Sequence, residues 1–281
     1  MEGGWVIDRL SDLSLIGVVL TMLVSTLCAA FIGHGIRRLR LRLAPVREAG
    51  ERYQESYLVG GMLGLLALLL AFSFAMGIDR YEDRRRLVIQ EANAIGTSYL
   101  SAQLLDEPHR SRLSGKLIAY TDNRIAMGLA EPGAMQPLLA IDDRLIRDIW
   151  ASITAARESA QARGISASLL AAYSQLIDLN TERKLARMVR IPDPVLLLLF
   201  GFSTATAGAL GFFLEERFAW FGAGMLFLML SLYVSIISDL NRPTSGNIRE
   251  SQGAMLMLRQ TFQSQPSAVF DRYKPDGVPG G

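Results

Sequence analysis

The sequence predicts an all-α polytopic membrane protein with four membrane-spanning helices and a polar helical domain inserted between the second and third. Three observations predict it. Half of the 281 residues are hydrophobic, they are concentrated in four blocks, and nearly all charges lie between those blocks. Each block is about 20 residues long, enough to cross the hydrocarbon core of a bilayer as a helix. Between the second and third blocks the apolar residues recur at helical spacing, and no segment sustains the alternation of a strand.

The elements follow in order. Residues 1–12 form an N-terminal segment in which Trp5 is placed as an interfacial anchor. The first span is 13–36. A cleaved signal peptide is the rival reading, and it fits badly, because Glu2, Asp8 and Asp12 stand where such a peptide is basic. Residues 37–56 are a basic loop with Arg37, Arg38, Arg40, Arg42, Arg47 and Arg52. The second span is 57–78, with Gly60, Gly61 and Gly64 forming a small-residue face that permits close helix approach. No breaker follows it, so one long helix is expected to leave the membrane and end near Asp106-Glu107-Pro108.

Residues 79–191 form the helical extramembrane domain. Three further helices are expected there, over 110–129, 135–162 and 166–190, separated by Glu131-Pro132-Gly133 and Arg163-Gly164. Pro192-Asp193-Pro194 returns the chain to the membrane. The third span, 195–214, carries Ser203, Thr204 and Thr206, whose hydroxyls can bond back to the helix. Glu215-Glu216-Arg217 is a tight loop, and the fourth span is 218–240. The tail, 241–281, opens with a turn, continues into a short helix over 251–262, and ends in a Gly/Pro-rich stretch expected to be disordered.

Charge and composition exclude several functions. A net charge of +2 gives no nucleic-acid footprint. The single cysteine, Cys28, is expected to be a small packing residue, and neither it nor His34 and His109 has ligand spacing, so no metal and no cofactor are expected. No catalytic motif is present, so the chain is not expected to be an enzyme. No charge lies in the centre of a span, which argues against a proton relay. Eleven basic residues flank the spans on the side of the helical domain and seven on the other, favouring a cytoplasmic helical domain, although the densest single loop argues the opposite.

Two motifs carry a family resemblance. Leu70-Ala71-Phe72, Arg80 to Leu87, and Glu91-Ala92-Asn93-Ala94-Ile95-Gly96 form the first. Asp239-Leu240-Asn241-Arg242-Pro243-Thr244-Ser245-Gly246 forms the second, with Thr244 where the family usually has phenylalanine. Together they resemble the bestrophin-like domain family, membrane proteins of unassigned function named for their likeness to bestrophin anion channels. Phe72, Arg80 eight residues later and Asn93 thirteen beyond that match bacterial bestrophins. The resemblance implies a homo-oligomer, a pentamer by analogy, in the lipid bilayer of a cell (inner) membrane if bacterial, with small inorganic anions as cargo. It places a pore neck at Gly64, Leu68 and Phe72, of which Gly64 departs from the apolar pattern. Arg80, Arg84 and Arg85 would form the pore mouth that attracts anions. No counterpart of the acidic calcium clasp of animal bestrophins follows span four.

Each assignment has a plainer alternative. Leu68 and Phe72 also suit lipid or bundle packing, and Arg80 and Arg84 to Arg86 suit interfacial anchoring or pairing with Glu82 and Asp83. Glu91 and Asn93 belong to the structural motif, with Glu91 able to pair with Arg183 or Arg187. Arg242, Pro243 and Gly246 suit a structured exit turn. The function expected is anion conduction; the alternative is a non-conducting scaffold or signalling partner that docks through the helical domain.

Overall fold

The computed structural model describes residues 14–43, 49–214, 217–243 and 246–273. The segment 1–12 with its Trp5 anchor, Arg47, the Glu215-Glu216 loop, Thr244-Ser245 and the Gly/Pro-rich end at 274–281 lie outside the described residues. Among the described residues every regular element is helical: α1 (Leu15–Leu43), α2 (Ala49–Ala102), α3 (His109–Leu129), α4 (Met135–Ala155), α5 (Arg157–Ala162), α6 (Ser166–Met188), α7 (Asp193–Phe213), α8 (Arg217–Leu240) and α9 (Gly253–Ser264), with 3-10 turns at Pro132–Ala134 and Ser267–Tyr273. Four stretches of helix, in α1, α2, α7 and α8, are long and apolar enough to cross a membrane. The chain divides into two units, residues 1–80 with 190–248, and 81–189 with 249–281.

In the first unit α1 packs on α7 and α8. Glycines set the approach of α1 to α7. A Cβ on Gly33 would overlap the Gly208 carbonyl, and one on Gly211 would overlap the Ala30 carbonyl. The small face of the second span plays no such part within the protomer, since a Cβ at Gly60, Gly61 or Gly64 meets nothing within 4 Å. Met22, Leu66, Leu199, Leu230, Val234 and Ile237 form one apolar cluster, and Ala30, Ala207, Leu214 and Phe227 belong to another. Cys28 corrects an expectation: it is exposed, because α1 packs through the stripe of Met22, Thr26, Ala30 and Gly33 on another face. Ser203 and Thr204 donate to Leu199 O and Phe200 O at 2.7 and 2.9 Å, whereas the buried Thr206 hydroxyl finds no protein acceptor.

The second unit is built on Tyr81–Ala102 of α2. Its core gathers Ile95 and Tyr99 of α2, Leu113, Leu117 and Tyr120 of α3, Ile149 of α4 and Tyr173 and Leu176 of α6. Where one helix was expected over 135–162, the chain turns at Ala156 and starts α5. Gly164, at φ 68°, ends α5 in the left-handed conformation that favours glycine. The tail helix α9 buries Met255 and Phe262 in this core, the Phe262 ring 4.4 Å from that of Tyr99.

Candidate functional site

The membrane part of α2 has a buried and an open side. Val59, Leu66 and Ser73 recur every seven residues and are buried, so they form one stripe of the helix. Gly64, Leu68 and Phe72, at intervals of four, lie away from that stripe. Leu68 is 52% and Phe72 63% exposed, and a side chain at Gly64 would project into open space. The three candidate neck residues therefore share a face that this protomer leaves uncovered. Arg80, two turns beyond Phe72, is exposed as well.

The arginines that follow separate. Arg85 is exposed and reaches Glu82 at 3.3 Å, and Arg86 reaches Asp83 at 2.8 Å. Both are one-turn surface pairs of small energetic weight. Arg84 turns the other way. It is 4% exposed and forms an ion pair with Glu250, so its charge is matched inside the helical unit. That placement argues against a role for Arg84 in attracting anions at an opening, because its field is compensated at contact distance.

Glu91 is the centre of a buried polar network. Its carboxylate is fully buried and accepts hydrogen bonds from Tyr120 Oη at 2.5 Å, from Arg124 Nε and Nη2 at 3.2 and 3.0 Å, and from Arg183 Nη1. Of the two partners expected for it, Arg183 pairs and Arg187 does not. Asp142, also fully buried, closes the network: it takes Arg124 Nη1 at 3.5 Å, Asn180 Nδ2 at 2.7 Å and Lys184 Nζ at 2.8 Å. Burial opposes the charge on Glu91, but Arg124, Arg183 and the Tyr120 hydroxyl outweigh it and hold the carboxyl below its ordinary range. Tyr120, Arg124, Asp142 and Asn180 are members of the network that the sequence does not announce. A signal existed: Tyr120 and Arg124 are four residues apart and so share a helix face with the apolar Leu113 and Leu117. Asn93 is exposed on α2, two residues past Glu91 and outside the network.

The exit turn after α8 is a local hydrogen-bonded structure. The Asp239 carboxylate accepts the Asn247 N–H at 2.9 Å and the Ile248 N–H at 2.8 Å, and the Gly246 N–H donates to Arg242 O at 2.9 Å. Asn241 Oδ1 takes the Ile191 N–H at 2.6 Å. A Cβ on Gly246 would lie 2.6 Å from Arg242 O and 2.7 Å from Asp239 O, so only glycine fits. Arg242, Pro243 and Gly246 thus belong to a turn that holds itself together. Among the described residues no cluster of His, Cys, Asp and Glu is suited to a metal ion.

Against this geometry, a family model of the Bestrophin-like domain matches residues 38–255, most of the chain. The match takes in the open face of α2, the Glu91 network and the exit turn. A search of curated proteins found no match.

Proposed function

Because the chain belongs to the bestrophin-like domain family of membrane proteins, we propose that it assembles as a multi-pass homo-oligomer, a pentamer, around the open face of α2 and conducts small inorganic anions such as chloride. The carrying observation is that face. Gly64, Leu68 and Phe72 stand at intervals of four, uncovered by their own protomer, on the span that is least covered by the rest of the chain. Around a shared axis these positions stack as apolar rings, with Leu68 and Phe72 forming the neck and Gly64 a wider step. An apolar constriction excludes water and passes most readily the ions that shed water cheaply, a condition large monovalent anions meet better than small cations. Arg80, and Arg85 less its partner Glu82, supply positive charge beyond the rings and raise the local anion concentration. Arg84 is left out of this mouth because Glu250 holds it. The helical unit faces the cytoplasm in this proposal, following the excess of basic residues on its side of the spans.

Flux from liposomes holding the purified protein tests the proposal. Chloride and bromide should pass faster than sodium, and Phe72→Ala should raise the anion flux by widening the neck. Absence of chloride, bromide and sodium flux from both the unmodified protein and Phe72→Ala would leave the scaffold reading, in which the helical unit docks a partner and nothing is conducted.

A further inference from the structure

Between α2, α6 and the segment leading into α9, the helical unit forms a small, partly open cavity of about 10 Å³, room for one water-sized species. Arg84, Arg183 and Arg187 line it together with Glu250 and the aliphatic side chains of Leu87 and Val88. We propose that this cavity is a binding site for a single halide ion, chloride under ordinary conditions.

The charge inventory points to an anion. Among the described residues, Arg84, Arg124, Arg183 and Lys184 each form an ion pair with Glu91, Asp142, Asp143 or Glu250, and Arg187 forms none with them. Glu250 is engaged by Arg84, and Glu91 is shared between Arg124 and Arg183. Arg187 is the residue left over. Its side chain makes one hydrogen bond, to the Met135 thioether at 3.9 Å, a weak acceptor that carries no charge. Burial, then the Arg183 and Arg124 guanidiniums, push its pKa down to about 10, as expected of a cation beside other cations in a poorly solvated place. Glu250 and Glu91 act on Arg187 without forming an ion pair with it, and a partly buried guanidinium that bonds no carboxylate is costly, a cost that an anion held against it would lower. The aliphatic wall strengthens the attraction by keeping water away. The small volume favours a monatomic ion over phosphate, sulfate or a carboxylate ligand. Because the site is built from the helical unit alone, it stands whether or not the protein conducts.

An ion held there joins α2 to α6, so occupancy stabilises the fold as chloride rises. The test is thermal unfolding of the full-length protein in detergent at constant ionic strength, with sodium gluconate replaced stepwise by sodium chloride or sodium bromide. A saturable rise in the unfolding temperature is expected with either halide and is lost in Arg187→Gln. Phe72→Ala should keep the full rise, which separates this site from anion binding in the neck. An equal rise with sodium sulfate, or a rise undiminished in Arg187→Gln, would overturn the proposal. Should Arg187→Gln not fold, bromide-soaked crystals of the unmodified protein decide. An anomalous peak within hydrogen-bond distance of Arg187 supports the site; its absence, or a water alone, rejects it.

Discussion

Arg84, Arg85 and Arg86 adjoin in sequence, yet their charges meet different fates. Successive residues on a helix point about 100° apart, so a run of three cannot share one environment. Arg84 falls on the inward side with Glu250 at hand, while Arg85 and Arg86 remain exposed beside Glu82 and Asp83. Sequence shows the charge run but not the rotation that decides which arginine turns inward. Glu91 belongs to the same inward side, and its weight can be measured. Glu91→Ala strands Arg183 in a buried site and leaves Arg124 only Asp142 at 3.5 Å, and breaking such a pair from one side costs about 3–5 kcal/mol. The variant should show that loss in chemical unfolding of the helical unit. The pH dependence has a definite sign. The folded carboxyl titrates below the ordinary 4.5, so its contribution is complete above that value and is lost as pH falls through the lower folded value. Glu91→Gln should flatten that acid limb. An acid limb unchanged in Glu91→Gln would assign the acid sensitivity to other carboxylates.

Among the elements, the four apolar blocks and the long second helix could be read from sequence because each rests on a run of many residues. Helix-forming residues continue without a breaker from the second span to Ala102, and α2 is unbroken over Ala49–Ala102. The turn at Ala156 could not be read. Ile153-Thr154-Ala155-Ala156 contains no glycine or proline, and the turn comes with the burial of Ala156 and Ala160 in the core. Helix pairing was likewise hidden, since every span is apolar all round. The glycines that matter within the protomer are those of α1 and α7, and not the Gly60-Gly61-Gly64 group that the sequence displays most plainly. The two sets should separate on substitution. Gly33→Val or Gly211→Val puts a branched side chain into a neighbouring backbone, forces α1 away from α7, and should yield protein that aggregates on size exclusion in detergent. Gly64→Ala meets nothing in its own protomer and should leave the unfolding temperature of any monomer unchanged.

For the whole molecule, the question is what covers α2. Lipid can cover any apolar helix, so exposure alone separates nothing: Phe218 and Phe221 of α8 are 84% and 67% exposed, more than Leu68. The distinction lies in small residues. In a bilayer no hydrophobic force brings helices together, and association depends on close packing, which Gly60, Gly61 and Gly64 permit on α2. Gly222 and Gly224 of α8 also face open space, but two residues apart they fall on opposite sides of that helix, whereas Gly60, Gly61 and Gly64 share one side, so a second copy is expected against α2. Cysteine cross-linking tests this, with the exposed native thiol removed first as Cys28→Ala. In that background Leu68→Cys should give covalent oligomers on mild oxidation. A disulfide requires Cα atoms within about 7 Å, so the bond would report a narrow approach between copies. Phe221→Cys, equally accessible but turned to lipid in this arrangement, should stay monomeric on a denaturing gel. Cross-linking through Phe221→Cys with none through Leu68→Cys would put the interface on α8 and remove the rings from which the proposed neck is built.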